Sequence, residues 1–269
     1  MTGRIQRVAH PRTASKVPEI TVYFWIIKIL TTGMGETTSD FLIHKVGLKN
    51  TSGLIVVVLV TGLALAACLL VQIAAAAYQA PLYWLAVVMV GIFGTMSADG
   101  VHVQFGVPYI ASTAFFGLAL AVVFYTWNRS EGTLSIHSIH TRRRELFYWA
   151  AVLVTFALGT AAGDMTAFSL NLGFFVSGLL FLALFAIPAI GYRWFGLNSV
   201  LAFWFAYIVT RPLGASFADL FAAPKSLGGL GFGYGTVSAV LGVAIFALVA
   251  YLTVTSKDVQ PVGEAELTS

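Results

Sequence analysis

The chain has 269 residues, of which 58% are apolar, 14% aromatic and only 10% charged. A soluble domain carries about 25% charged residues, so composition excludes an ordinary soluble enzyme or binding module and points to a membrane protein; nucleic acid is not implied. The formal charge of +4 is modest, and in a membrane chain its distribution along the loops matters more than its sum.

In chain order, the opening MTGRIQRVAHPRTASKVPE is basic and polar for too long to be a secretory signal. It reads as a flexible cytoplasmic tail over residues 1–17. A transmembrane helix needs about 20 apolar residues, and eight segments meet that requirement: 18–42, 53–77, 81–100, 107–128, 145–168, 172–194, 198–220 and 231–254. Pro18 and Pro108 suit first helical turns, and the Gly-rich SLGGLGFGYG (226–235) forms a loop before the last span. Cys68 stands alone inside an apolar run, so neither a disulfide framework nor a Cys-based metal knuckle is available. A single transmembrane domain over 18–254 is expected, followed by a cytoplasmic tail over 255–269.

A skeleton recurs four times within these spans. Aligned on tryptophan, the copies YFWIIKILTTGMGETTSD, YWLAVVMVGIFGTMSAD, YWAAVLVTFALGTAAGD and FWFAYIVTRPLGASFAD place Gly ten residues and Asp fifteen residues after the Trp. The triplets are Trp25/Gly35/Asp40, Trp84/Gly94/Asp99, Trp149/Gly159/Asp164 and Trp204/Gly214/Asp219. A small residue precedes every Asp (Ser39, Ala98, Gly163, Ala218), a step that lets helix backbones approach closely. The chain is thus a fourfold internal repeat, with units 18–80, 81–143, 144–196 and 197–254. The first span of each unit carries the skeleton and the second is plain.

Basic residues orient the spans. With the N-terminus inside, the inner segments hold Arg4, Arg7, Arg12, Lys16, Arg129, Arg142, Arg143, Arg144, Arg193 and Lys257, against Lys45, Lys49 and Lys225 outside. That asymmetry puts both termini in the cytoplasm. All six tryptophans then fall at the cytoplasmic interface, where they read as an anchoring belt. Because the repeats keep one orientation, the four Asp residues share one depth. Fifteen helical residues rise about 22 Å in a hydrocarbon core about 30 Å thick, which sets the carboxylates in the outer half of the membrane.

An ionisable residue at that depth costs about 2.5–3.5 kcal/mol on insertion scales, so four Asp total roughly 10–14 kcal/mol before compensation. The bland alternative is that each Asp only begins a wetted outer loop. Against it, Glu36, Asp40 and His44 are spaced i, i+4, i+8 on one helical face, and His102 follows Asp99 by three residues. Carboxylate and imidazole without thiolate suit Mn, Fe, Ni or Zn, and Mg where waters complete the shell. The metal-ligand set read from the sequence is therefore Asp40, Asp99, Glu36, His44 and His102, within an ion-binding ring that adds Asp164 and Asp219. Two cations accompany these acids. Lys28, one turn from Trp25, reads as a snorkelling side chain. Arg211 lies deeper, before the helix-breaking Pro212, and Ala215 holds the place that Glu36 fills in the first copy. Arg211 is expected to pair with Glu36 or an Asp as an internal counter-charge. In the central loop, His137 and His140 form a weak metal pair lacking further ligands, and Arg142, Arg143 and Arg144 read as the positive-inside anchor and an anionic-lipid contact. No nucleotide-binding Gly loop, HExxH or Ser elbow is present in the sequence, so an enzyme is not expected.

The two-span unit, and especially KVPEITVYFWIIKILTTGMGETTSDF, EGTLSIHSIHTRRRELFYWAAV and TRPLGASFADL, resembles a bacterial family of membrane-anchored proteins built of four tandem repeats of unknown function. The resemblance runs from about Lys16 to Thr253. It implies a bacterial inner-membrane location and eight spans, and carries no substrate.

The resulting expectation is an all-α polytopic protein of eight transmembrane helices, in which four parallel helical hairpins surround a central cavity faced by acids of the odd-numbered spans. The favoured function is transport of a divalent metal cation exchanged for protons, with the metal as substrate and no tightly bound cofactor. The alternatives are a passive cation channel, since a ring of Asp also builds a cation filter, and a non-transporting membrane scaffold or sensor. The expected partners are the lipid bilayer, the metal cation and protons, with a homo-oligomer as the alternative to a monomer.

Overall fold

A computed structural model describes residues 15–45 and 51–259. Its long helices are α1 (Val22–Lys45), α2 (Thr51–Ala74), α3 (Ala80–Phe105), α4 (Tyr109–Glu131), α5 (Arg142–Asp164), α6 (Gly173–Phe195), α7 (Ser199–Ala222) and α8 (Tyr234–Thr255). No strand occurs among the described residues. All of these helices except α1 are long and apolar enough to cross a membrane, which makes the chain a multi-pass membrane protein. α1 falls short of the same measure because Lys28, Glu36, Asp40 and several threonines lower its hydropathy. Lys28, Thr31, Thr32, Glu36 and Thr37 are all buried, so the polar face of α1 is turned toward protein.

The skeleton-bearing helices form the interior. α1 packs on α3, α3 on α5, α5 on α7, and α7 back on α1, closing a four-helix ring. In the most apolar stretches of α3, α5 and α7, 61–67% of residues are buried, against 17–28% in α2, α4, α6 and α8. The plain helices therefore form an outer layer. Each leans on the ring helix of the following repeat, α2 on α3, α4 on α5, α6 on α7 and α8 on α1. The expected hairpin within each repeat is corrected here, because α2 and α4 have only sparse contact with α1 and α3. The packed pair straddles the repeat boundary.

The repeated glycines explain how the ring closes. A Cβ on Gly35 would meet the backbone of Gly91 at 2.8 Å, one on Gly94 would meet Phe156 Cβ at 2.8 Å, one on Gly159 would strike Arg211 and Pro212, and one on Gly214 would strike Thr32 and the Ile29 carbonyl. Gly91, Phe156, Arg211 and Thr32 all stand seven residues after their tryptophans. One rule thus operates at all four joints: the glycine ten residues past Trp receives the residue seven past Trp on the next ring helix. Any side chain there would force the helices apart.

Several local expectations change. Pro18 precedes α1 rather than entering its first turn, and Pro212 leaves α7 continuous, because in a packed bundle a proline removes one hydrogen bond that neighbouring groups offset. Residues 1–14 of the expected tail lie outside the described residues. Lys16 and Val17 are buried, since Lys16 Nζ sits 2.5 Å from Glu145 and donates to the Ile73 carbonyl at 2.8 Å. Of the C-terminal segment, Thr255 still belongs to α8 and Asp258 is buried, bonded through its side chain to Tyr78; residues 260–269 lie outside the described residues. Arg143 and Arg144 pair with Glu131 at 3.3 and 2.9 Å, closing the α4–α5 turn as well as adding positive charge. The tryptophan belt is corrected most. Trp84, Trp127, Trp149 and Trp204 are buried in the main core, and only Trp194 is widely exposed.

Candidate functional site

Counting from the repeat tryptophan, residues at −1, +3, +7, +11 and +15 advance by one helical turn each, about 6 Å of rise per step, and stack on one inward face. At −1 are Phe24, Tyr83, Tyr148 and Phe203, all buried. At +3 are Lys28, Val87, Val152 and Tyr207, each with no exposed surface. The +11 set is Glu36, Thr95, Thr160 and Ala215, again buried. The repeat thus builds layers, and chemistry appears where one copy departs from the others.

Arg211 is the first such departure. From the +7 layer its guanidinium reaches up to the +11 layer, where Ala215 in its own helix leaves room. Its Nη2 lies 2.5 Å from Glu36 Oε2, donates to Thr160 Oγ1 at 2.5 Å and also donates to Thr95 Oγ1. One nitrogen therefore engages the +11 residue of each of the other three copies. Arg211 and Glu36 are both buried. Breaking such a pair strands a charge and costs about 3–5 kcal/mol. Of the partners the sequence offered Arg211, the structure selects Glu36.

Lys28 is the second departure, and here the snorkelling expectation is overturned. Its side chain has no exposed surface, and its ammonium lies 4.0 Å from the ring centroids of both Phe156 and Tyr207. It has no hydrogen-bond partner among the described residues. The physical reason is register: Lys28 precedes Glu36 by two turns on the inward column, which faces the ring interior and not the headgroups. Burying an ammonium costs several kcal/mol, against about 2 kcal/mol from a desolvated cation–π contact.

At +15 the column opens into a cavity of about 800 Å³. Asp40, Asp99, Asp164 and Asp219 all line it, together with Glu36, His44, Tyr109 and Tyr234. All four Asp lie within their helices, and α5 passes straight from Asp164 into a π-helical turn, Met165–Ser169. Glu36, Asp164 and Asp219 each present a carboxylate oxygen within 4.8 Å of the others. Asp219 is 8% exposed, and its Oδ1 has no hydrogen-bond partner among the described residues. A divalent ion with oxygen ligands is the chemistry this trio fits best.

The two histidines do not join that trio. His44 lines the cavity, but its Nδ1 is 2.8 Å from the Asp40 carbonyl and its ring stacks on Tyr234. His102 lies outside the cavity lining; its Nδ1 is 2.7 Å from the Val107 carbonyl and its ring stacks on Tyr109. Both rings are thus held by backbone carbonyls near the ends of their helices, four residues back in α1 for His44 and just past the end of α3 for His102. Asp40 and Asp99 share the cavity but not the close trio. His137 approaches Glu19, at 3.9 Å, rather than a metal-like cluster with His140.

Sequence reading missed the polar groups below and behind the acids. Thr95 and Thr160 share the +11 register with Glu36, a signal the repeat alignment already contained. The buried Lys16–Glu145–Gln72 cluster joins the N-terminal arm to α2 and α5, and nothing in the repeat announces it.

No curated protein and no solved structure matches the chain. The family model described as Repeat of Unknown Function matches it four times in tandem, over residues 23–78, 82–133, 147–196 and 202–258, and the chain, covered over most of its length, belongs to that family (DUF347).

Proposed function

We propose that the protein is a membrane carrier for a divalent metal cation, exchanged for protons, and not an enzyme. The observation that carries this reading is the trio Glu36, Asp164 and Asp219, with carboxylate oxygens within 4.8 Å of one another in a cavity that Asp40 and Asp99 also line. Oxygen-only donors favour Mn or Mg over softer ions. Arg211 is the resident counter-charge: it neutralises Glu36 while the site is empty and yields to the arriving cation. Protons compete with metal for the same carboxylates, which is the basis of the exchange.

In this reading the membrane is a bacterial inner membrane and α1 is an eighth span, carried across by its contacts with α3, α7 and α8. Both termini are cytoplasmic, and the aspartate cavity opens to the outside. A passive channel is the weaker reading, because beneath the cavity the ring interior is filled by Arg211, Phe156, Lys28 and Tyr207, all without exposed surface. The test is uptake of Mn²⁺ into proteoliposomes under an imposed pH gradient. Saturable uptake that is lost in Asp164→Asn and Asp219→Asn is expected; uptake unchanged when all four Asp are replaced by Asn contradicts the proposal.

A further inference from the structure

Between the acidic cavity and the buried aromatic layer, the ring holds a titratable amine that the carboxylate site does not use. Lys28 Nζ is sandwiched between Phe156 of α5 and Tyr207 of α7, 4.0 Å from each ring centroid. No acceptor among the described residues meets its N–H groups. The charged and titratable groups facing it are few. From α7 come Arg211, a second cation, and the Tyr207 phenol. Glu36 of α1 is already engaged by Arg211. Tyr148 of α5 neighbours Tyr207, and its hydroxyl is bonded to that of Tyr83 of α3. Lys28 therefore stands between a charge that cannot be removed, since arginine stays protonated in proteins, and the ring of Tyr207, whose hydroxyl has no hydrogen-bond partner among the described residues.

This arrangement couples Lys28 to cation binding. When a divalent ion takes Glu36, the positive charge of Arg211 loses its partner a short distance from Lys28. Three positive centres then share a dry interior, and lysine is the one able to become neutral. We infer that Lys28 is a proton carrier of the exchange: one Nζ–H bond breaks as the cation enters, the electron pair stays on the amine, and the proton passes to water. The same proton returns to Nζ when the cation departs. Linkage makes the coupling reciprocal, so protonated Lys28 weakens cation affinity by the factor with which the cation disfavours that proton.

The inference rests on the divalent-cation reading of the cavity, and one experiment separates the two. Proton release on addition of Mn²⁺ alone is measured with an indicator dye in weakly buffered detergent solution, for the wild-type chain, Lys28→Met and Lys28→Arg. Metal binding is followed in parallel by thermal shift, using variants that melt cooperatively. Lys28→Arg keeps the charge and removes the ability to lose it. The expected result is that both variants still bind Mn²⁺ and release about one proton fewer per bound ion than wild type, with a flatter dependence of affinity on pH. Equal proton release in all three proteins overturns the role of Lys28 and leaves the cavity reading standing. A wild-type protein that neither binds Mn²⁺ nor releases protons overturns the cavity reading and this inference with it.

Discussion

At the tryptophan end of the ring, Trp84, Trp149 and Trp204 are buried against Tyr83, Tyr148, Phe203 and Tyr207, and the repeated residues fill space. At the aspartate end, Asp40, Asp99, Asp164 and Asp219 occur with the same fourfold regularity, yet they line about 800 Å³ of open volume. The difference is chemical. Aromatic rings at equivalent positions gain by packing on one another, whereas carboxylates brought together at equivalent positions cannot all stay ionised without a proton or a cation among them. The repeat is thus used for cohesion at one end and for a charged opening at the other. The residues that break the repeat, Lys28, Glu36 and Arg211, lie between the two ends.

Several substitutions break or sharpen that contrast. The largest effect is expected from Arg211→Met, which strands Glu36 below the cavity: a loss of about 3–5 kcal/mol, read as a large fall in the melting temperature of the purified protein. Adding Glu36→Gln to the same chain should recover part of it. Lys16→Met makes the same kind of break at the tryptophan end by stranding Glu145, which has no exposed surface and lies 2.5 Å from Lys16 Nζ. Its cost should approach that of Arg211→Met, with Mn²⁺ binding kept. Such a variant that lost metal binding while still folded would show that the two ends are not separable.

Smaller effects test the joints. Gly35→Ala places a methyl group 2.8–2.9 Å from the Gly91 backbone, and overpacking of this kind costs about 1–3 kcal/mol. Gly100→Ala, one residue past Asp99, has open space around the added carbon and should stabilise α3 by about 0.5–1 kcal/mol through helix propensity. Thermal melts of the two proteins should move in opposite directions. A shared direction would contradict the glycine-to-neighbour rule that closes the ring.

Much of this was legible in the sequence for a specific reason. Four copies of the Trp–Gly–Asp skeleton in one orientation require equivalent depth and equivalent facing, so the convergence of Asp40, Asp99, Asp164 and Asp219 follows from periodicity alone. That Arg211 would meet Glu36 or an Asp was legible from Ala215 standing where the first copy has Glu36, and the choice of Glu36 came only with the packed ring. Lys28 was misread because a lysine one turn from an interfacial tryptophan usually snorkels. The column Lys28, Thr32, Glu36, Asp40 at i+4 spacing, opposite Val87, Val152 and Tyr207, carried the contrary signal. His44 and His102 were misread because helical-face spacing does not show that each ring stacks on a tyrosine, Tyr234 or Tyr109, and is bonded to a backbone carbonyl. The choice of α3 rather than α1 as the partner of α2 is a packing outcome that no repeat alignment encodes.

The most direct measurement is metal-dependent thermal stabilisation of the purified protein across Mg, Ca, Mn, Fe, Ni and Zn, repeated with Asp219→Asn and with Asp164→Asn. A ligand that binds only the folded state must raise apparent stability. The account predicts a shift with an oxygen-preferring divalent ion that grows with pH and disappears in both variants. No shift with any of these ions, or a shift untouched by both substitutions, would contradict a carboxylate cation site at the aspartate end.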